Sequence, residues 1–132
     1  MDEQTRFLAN QKLLHLATAD KDGYPHVVPV WYQYINRKLY IGTHTRTKKV
    51  KNIQNRPRVS FCVDAGIRAP IYGVMGIGRA HVLLDNQRVA IIAEQIILRY
   101  FSTLDQPSAQ KILADTNCII EITPRSLVSW KY

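Results

Sequence analysis

Residues 13–43 read LLHLATADKDGYPHVVPVWYQYINRKLYIGT, and the punctuation of this stretch decides the fold. Three apolar runs are separated by two short polar breaks. Asp20-Lys21-Asp22-Gly23 is a hairpin turn, because an Asp side chain hydrogen-bonds turn backbone and Gly accepts a positive φ. Ile35-Asn36-Arg37-Lys38 turns the chain a second time. Strands linked this tightly pair antiparallel, since a parallel pair needs a crossover of a dozen residues or more. Pro25 and Pro29 donate no ladder hydrogen bond, so at least one side of the second strand is edge-like, bulged or turned toward a ligand.

The same reading extends outward. Asp2 to Lys12 is expected to be a short helix with Phe7 and Leu8 on its apolar face. After the third strand, Val50 and Ile53 have helical spacing, and Pro57 ends that helix. RVSFCVDA, residues 58–65, alternates as a strand should. IYGVMGIGRAHVLL, residues 71–84, reads as a long strand whose Gly73, Gly76 and Gly78 mark bends of the kind barrel corners use. Val89, Ile92, Ala93, Ile96, Ile97 and Tyr100 make one helical stripe, with Asp85 or Asn86 as its cap. A further helix follows Pro107, and NCIIEITPRSLVSW closes the chain as one strand or two. The expected fold is mainly β: a six-stranded antiparallel split barrel with flanking helices, in a single domain spanning residues 1–132.

Composition narrows the function. Eighteen Lys and Arg against ten Asp and Glu give a net charge of +8, which favours an anionic partner without naming it. Cys62 and Cys118 lie in apolar stretches with no CxxC and no zinc spacing, so no metal site is expected and a reducing cytoplasm is. The opening MDEQTRFLANQK is unlike a signal peptide, and no apolar run nears the roughly 18 residues of a membrane span. Seven tyrosines and a high pI raise nucleic acid as a partner, but the aromatics are scattered rather than clustered into a stacking platform, so none is expected.

The chemistry sits in Gly42-Thr43-His44-Thr45-Arg46-Thr47-Lys48-Lys49-Val50-Lys51-Asn52, which joins a strand end to a helix start. Helix N-termini carry unpaired N–H groups and a partial positive charge, so acids belong there. This one carries four cations instead, and three threonines alternate through it. A bound anion reverses the sign of that local cost, so the segment reads as a phosphate clamp. A solvated basic turn would explain the charge but not the threonines. In the second strand, alternation puts His26, Val28, Val30 and Tyr32 on one face and Val27, Pro29, Trp31 and Gln33 on the other. The gap that Pro29 leaves in the ladder suits the polar edge of a flat ring, or simple edge protection.

Taken together, LATADKDGYPHVVPVWYQYINRKLYIGTHTRTKKVKNIQNRPRVSFCVD resembles the pyridoxamine 5′-phosphate oxidase-like family of FMN- and deazaflavin-binding split barrels. The register is good over residues 13 to 64 and looser through GVMGIGRAHVL and TPRSLVSWKY. The resemblance implies a homodimer with cofactors in two grooves at the subunit interface. It implies that Lys49, with Thr47 and Lys48, holds the cofactor phosphate, and that Thr43 lies beside the ribityl chain. It implies that the backbone of His26, Val27, Val28, Pro29 and Val30 runs along the ring, with Trp130 near it from one of the subunits. The chain lacks the family enzyme's C-terminal extension for the pyridoxal substrate, so that activity is not expected. The expected function is an FMN-binding oxidoreductase acting on a small molecule, with no side chain required as a general acid. The alternative cofactor is the deazaflavin F-420, whose acidic tail suits the surplus charge, with Arg56, Arg58, Arg68 and Arg79 as candidates to line its groove. A non-enzymatic haem or flavin binder is the reading from another class, with His15, His26, His44 and His81 available as haem ligands.

Overall fold

The computed structural model describes residues 2–132. The chain runs α1 (Glu3–Asn10), β1 (Leu14–Ala19), β2 (Pro25–Val30), β3 (Gln33–Ile35), β4 (Lys38–Thr43) and α2 (Lys48–Asn55). It continues through β5 (Arg58–Ala65), β6 (Tyr72–Leu83), α3 (Asn86–Ile97), α4 (Pro107–Asp115) and β7 (Cys118–Lys131). All the strands join one antiparallel sheet in the order β2-β1-β5-β6-β7-β4-β3.

That order forces the sheet to curl. β2 and β3 lie at opposite edges, six strand spacings apart, which in a flat sheet is about 29 Å. Yet only Trp31 and Tyr32 connect them, a link that reaches at most about 11 Å. The two edges must therefore come together, and the sheet closes into a split barrel. Leu14, Leu16, Leu39, Ile41, Val63, Val74, Ile120 and Ile122 point inward and are fully or almost fully buried. α2 adds Val50 and Ile53 to the same core. α3 packs Val89, Ala93 and Ile96 on Leu83 and Ile119 in a second, smaller cluster.

The structure has seven strands, not the expected six. The run PHVVPVWYQY, which reads as one strand, breaks at Trp31 and Tyr32. The reason lies far away in sequence. The Tyr32 N–H donates to the Tyr100 hydroxyl at 3.0 Å, and the Tyr32 carbonyl accepts from the Arg99 guanidinium. Side chains from just beyond α3 thus take over the backbone groups a ladder would have used. The closing segment is one strand rather than two, with a β-bulge facing Ile77 and Gly78. Asp85, not Asn86, caps α3, accepting from the Arg88 N–H at 2.9 Å.

Two β6 glycines are required by close approach. A Cβ at Gly76 would lie 2.4 Å from Phe61 Cζ inside the barrel, and one at Gly73 would lie 2.1 Å from Trp130 Cζ2 outside it. The absent side chains are the space those rings occupy.

Candidate functional site

α2 begins where β4 ends, and its N-terminus is built without an acid. Thr47 is the N-cap, but its hydroxyl donates to the His44 carbonyl at 2.9 Å instead of accepting from a helix N–H. The first turn carries no Asp or Glu. The leading N–H groups of the helix are therefore unclaimed by any cap side chain, the state in which a helix end receives an anion.

The surrounding loop is held firmly. Asn117, just before β7, accepts from the Thr45 N–H at 2.9 Å, and its amide donates to the Thr45 hydroxyl at 3.2 Å. The Asn117 N–H donates to the Thr43 carbonyl at 3.0 Å. Arg46 folds back on the His44 ring at 3.1 Å. Lys48 is exposed and faces the Asp20 carboxylate of the β1–β2 turn, whose own bonds to the Tyr24 and Asp22 N–H groups hold it below the usual carboxylate range. Lys49 is half-buried, and burial pushes its ammonium down from 10.5. It lies near Cys118, whose thiol burial pushes up. Among the described residues, Lys49 has no carboxylate partner. A half-desolvated, unpaired ammonium beside open helix N–H groups is suited to a phosphate.

On its other side α2 reaches the β1–β2 hairpin. Asn52 and Thr18 are both buried, and the Asn52 amide donates to the Thr18 hydroxyl at 3.0 Å. Thr18 sits directly across the ladder from His26. Within this patch the His26 Nδ1 atom is buried without a hydrogen-bond partner, as is the Gln33 Oε1 atom of β3. An orphaned buried acceptor or donor costs free energy until something meets it, so His26 marks a place where a polar ligand edge fits.

The structure thus brings Thr43, Thr47, Lys48 and Lys49 together at one end of α2, and ties that helix to the strand bearing His26. On β2, His26, Val28 and Val30 turn inward, while Val27 and Pro29 are exposed on the outer face. Trp130 is not in this group. It lies over Gly73 on the outer face, four strand spacings from β2, which is about 19 Å along the sheet. Within one chain Trp130 and β2 do not flank one flat ring. Sequence reasoning missed Asn117, Asn52 and Thr18, which position the loop and helix; only their polarity at a strand boundary or on an apolar face signalled them.

The outer face carries its own pattern. The ladder aligns Pro29, His15, Cys62, Met75 and Val128 in one row and Val27, Ala17, Ser60, Ile77 and Ser126 in the next. Val27, Met75, Ile77 and Val128 are 66%, 46%, 46% and 56% exposed. These four apolar side chains stand exposed on one face of the sheet, interspersed with small and polar residues. Among the described residues no cluster of His, Cys, Asp or Glu is arranged to hold a metal, and no helix is long and apolar enough to cross a membrane.

Comparison with known proteins agrees with this architecture. No curated protein matches the chain at a significant level. Solved structures do. An F-420 reductase is 24% identical over 97% of this chain and 98% of its own, with a TM-score of 0.74. An FAD-binding protein from Mesorhizobium loti is 25% identical over 100% and 96%, with a TM-score of 0.75. The heme storage protein from Vibrio cholerae is 17% identical over 98% and 92%, with a TM-score of 0.77. The sequence profile of one family spans residues 1–131, and by that match, on this split barrel, the chain belongs to the pyridoxamine 5′-phosphate oxidase family.

Proposed function

We propose that this protein is a flavin-dependent oxidoreductase that binds FMN and works as a homodimer on a small molecule in the cytoplasm. The observation that carries the reading is the acid-free N-terminus of α2, with Lys49 half-buried and unpaired beside it. FMN supplies the hydride or electron transfer when bound; the chain supplies its seat. Lys49 and the helix N–H groups take the phosphate, with Lys48 at the rim and Thr47 holding the turn. Thr43 lies beside the ribityl chain. The strand from His26 through Val27, Val28 and Pro29 to Val30 runs along the ring with its backbone. Trp130 comes from the other subunit, because the outer faces of two chains packed together set one β7 against the partner's β2. Two unpaired cysteines suit the reducing compartment.

The test is a fluorescence titration of the apo-protein with FMN. Wild type is expected to bind one FMN per chain, and Lys49→Ala to bind at least tenfold more weakly, in keeping with about 1.5–3 kcal/mol for a charge-assisted hydrogen bond. Unchanged affinity in Lys49→Ala would remove the clamp.

A deazaflavin is the second reading, favoured by the net charge of +8 and by the F-420 reductase among the similar structures. The spectrum and mass of material released from protein made in a host with both cofactors decide between them. Haem in that extract would move the protein to the storage class of its Vibrio cholerae structural relative.

A further inference from the structure

The loop between β4 and α2 holds one cation back from the clamp. Arg46 directly precedes the Thr47 cap, so its side chain starts one residue from the acid-free helix end. It folds instead onto the loop. Its guanidinium donates to the His44 Nε2 atom at 3.1 Å, and its backbone N–H approaches the His44 Nδ1 atom at 3.3 Å. The loop itself is fixed, because Asn117 accepts from the Thr45 N–H and the Thr47 hydroxyl donates to the His44 carbonyl.

The chemistry of this contact makes it conditional. Both Arg46 groups are donors, and a guanidinium stays charged. The contact therefore needs a lone pair on His44, which only the neutral imidazole has. The neutral ring has one such lone pair for two approaching donors, so the hold is incomplete even then. The protonated ring has none: it carries two N–H groups and a positive charge that repels Arg46. Histidine is the side chain that makes this change between about pH 5 and 8. Nothing else retains Arg46, which is exposed and, among the described residues, makes no ion pair. The charges around the loop do not replace the hold. α2 brings Lys48 and Lys49, β7 brings the Cys118 thiol, which burial pushes up, and Asp115 stands exposed at the end of α4. Asp20, on the β1–β2 turn, faces Lys48 and is bonded to its own turn N–H groups.

We propose that Arg46 is a further phosphate-binding residue, latched away from the clamp by neutral His44 and released when that ring takes a proton. The proposal rests on the clamp at Lys49 and adds its regulation. The only covalent change is the proton that solvent delivers to the ring lone pair. The freed guanidinium then turns to the phosphate on the helix end, where its planar fork matches two oxygens. Acidification tightens the grip on the cofactor.

Fluorescence titration with FMN at pH 8 and pH 5.5 tests this in wild type, His44→Gln and Arg46→Gln. Glutamine offers Arg46 an acceptor at both pH values, so it keeps the latch shut. The FMN phosphate loses charge toward pH 5.5 for all three proteins alike, so affinities are compared between proteins at each pH. At pH 8 the three are expected to agree within twofold, which also shows that both variants fold. At pH 5.5 wild type is expected to bind at least threefold more tightly than either variant. Arg46→Gln matching wild type at pH 5.5 overturns the proposal, because the imidazolium then acts alone. Arg46→Gln binding more weakly already at pH 8 overturns it too, because Arg46 is then never latched. Nuclear magnetic resonance of the ligand-free protein reads the latch directly: the Arg46 side-chain N–H signal is expected to move between the two pH values in wild type and to stay in place in His44→Gln. A signal that stays in place in wild type overturns the latch while leaving the clamp intact. If Lys49→Ala binds FMN as well as wild type does, the clamp reading is what fails, and the role of Arg46 falls with it.

Discussion

At the scale of single residues, desolvation and close packing make the sharpest statements. Lys49 has its ammonium pushed below 10.5 by burial. The unfolded chain therefore holds that proton more tightly than the folded one, and the lysine contributes increasing stability as pH rises from its folded value toward 10.5. Phosphate binding runs the other way, because it needs the cation. FMN affinity should accordingly fall as pH rises toward 10.5, where the phosphate stays doubly charged, and the fall should start earlier than for an exposed lysine. Titration of wild type and Lys49→Arg across that range checks this: the arginine variant stays charged and should bind FMN with little pH dependence. Gly76→Ala is the packing counterpart. Its Cβ would sit 2.4 Å from Phe61 Cζ and 2.8 Å from Leu127 Cδ2, so the inner layer must shift. Overpacking of this kind costs about 1–3 kcal/mol, read as a lower denaturant midpoint with an unchanged slope. A variant as stable as wild type would mean that Phe61 repacks freely. The glycine pattern was legible in the sequence as a sign of bends; the partners that demand it, Phe61 and Trp130, were not, because they come from neighbouring strands.

At the scale of elements, most boundaries were legible because turns, prolines and alternation are local. The failure was equally informative. The second strand split at Trp31 and Tyr32 because Tyr100 and Arg99, 68 and 67 residues away, claim the Tyr32 backbone. No local signal reports such a capture. The same side chains gather more of the fold: Tyr100 donates to the Lys12 carbonyl at 2.8 Å, and Arg99 donates to the carbonyls of Ala9 and Gln11 at 2.8 and 2.7 Å. Trp31 stacks on the Tyr100 ring at 4.0 Å with 7° between planes. The corner that closes the barrel is thus clasped by two residues following α3. Tyr100→Phe keeps the ring stack but orphans the Tyr32 N–H, and should cost about 1–2 kcal/mol. Arg99→Met removes a guanidinium serving three carbonyls and should cost more, about 2–4 kcal/mol. Chemical denaturation of both variants checks the order. If Arg99→Met proved milder than Tyr100→Phe, the corner would depend on the stack rather than on the guanidinium.

At the scale of the whole molecule, pattern gave the class of the fold and its closure into a split barrel but not which strands neighbour one another across long stretches of sequence. Antiparallel pairing followed from the short turns, whereas the neighbour relations β1 to β5 and β4 to β7 join segments far apart in sequence. Those relations assemble the outer face, and with it the strongest consequence for assembly. Val27, Met75, Ile77 and Val128 are 46–66% exposed, on strands that span the sheet from its β2 edge to β7. A stable dimer buries about 800 Å2 on each chain, and a five-strand face supplies an area of that order. A two-fold axis through it would bring Trp130 of one subunit beside the partner's Val27 and Pro29, completing a ring site that neither chain completes alone. Val27→Glu/Ile77→Glu places two carboxylates on this face, and the two-fold axis doubles them to four. Wild type should sediment at twice 15.2 kDa, and the double variant as a monomer. Because both positions lie outside the core, the variant should keep its strand content by circular dichroism. FMN affinity then separates two outcomes. A monomer that binds FMN at least tenfold more weakly means that the site is shared between subunits. A monomer that binds FMN as well as wild type means that Lys49 and β2 suffice within one chain, and that Trp130 has no part in holding the ring.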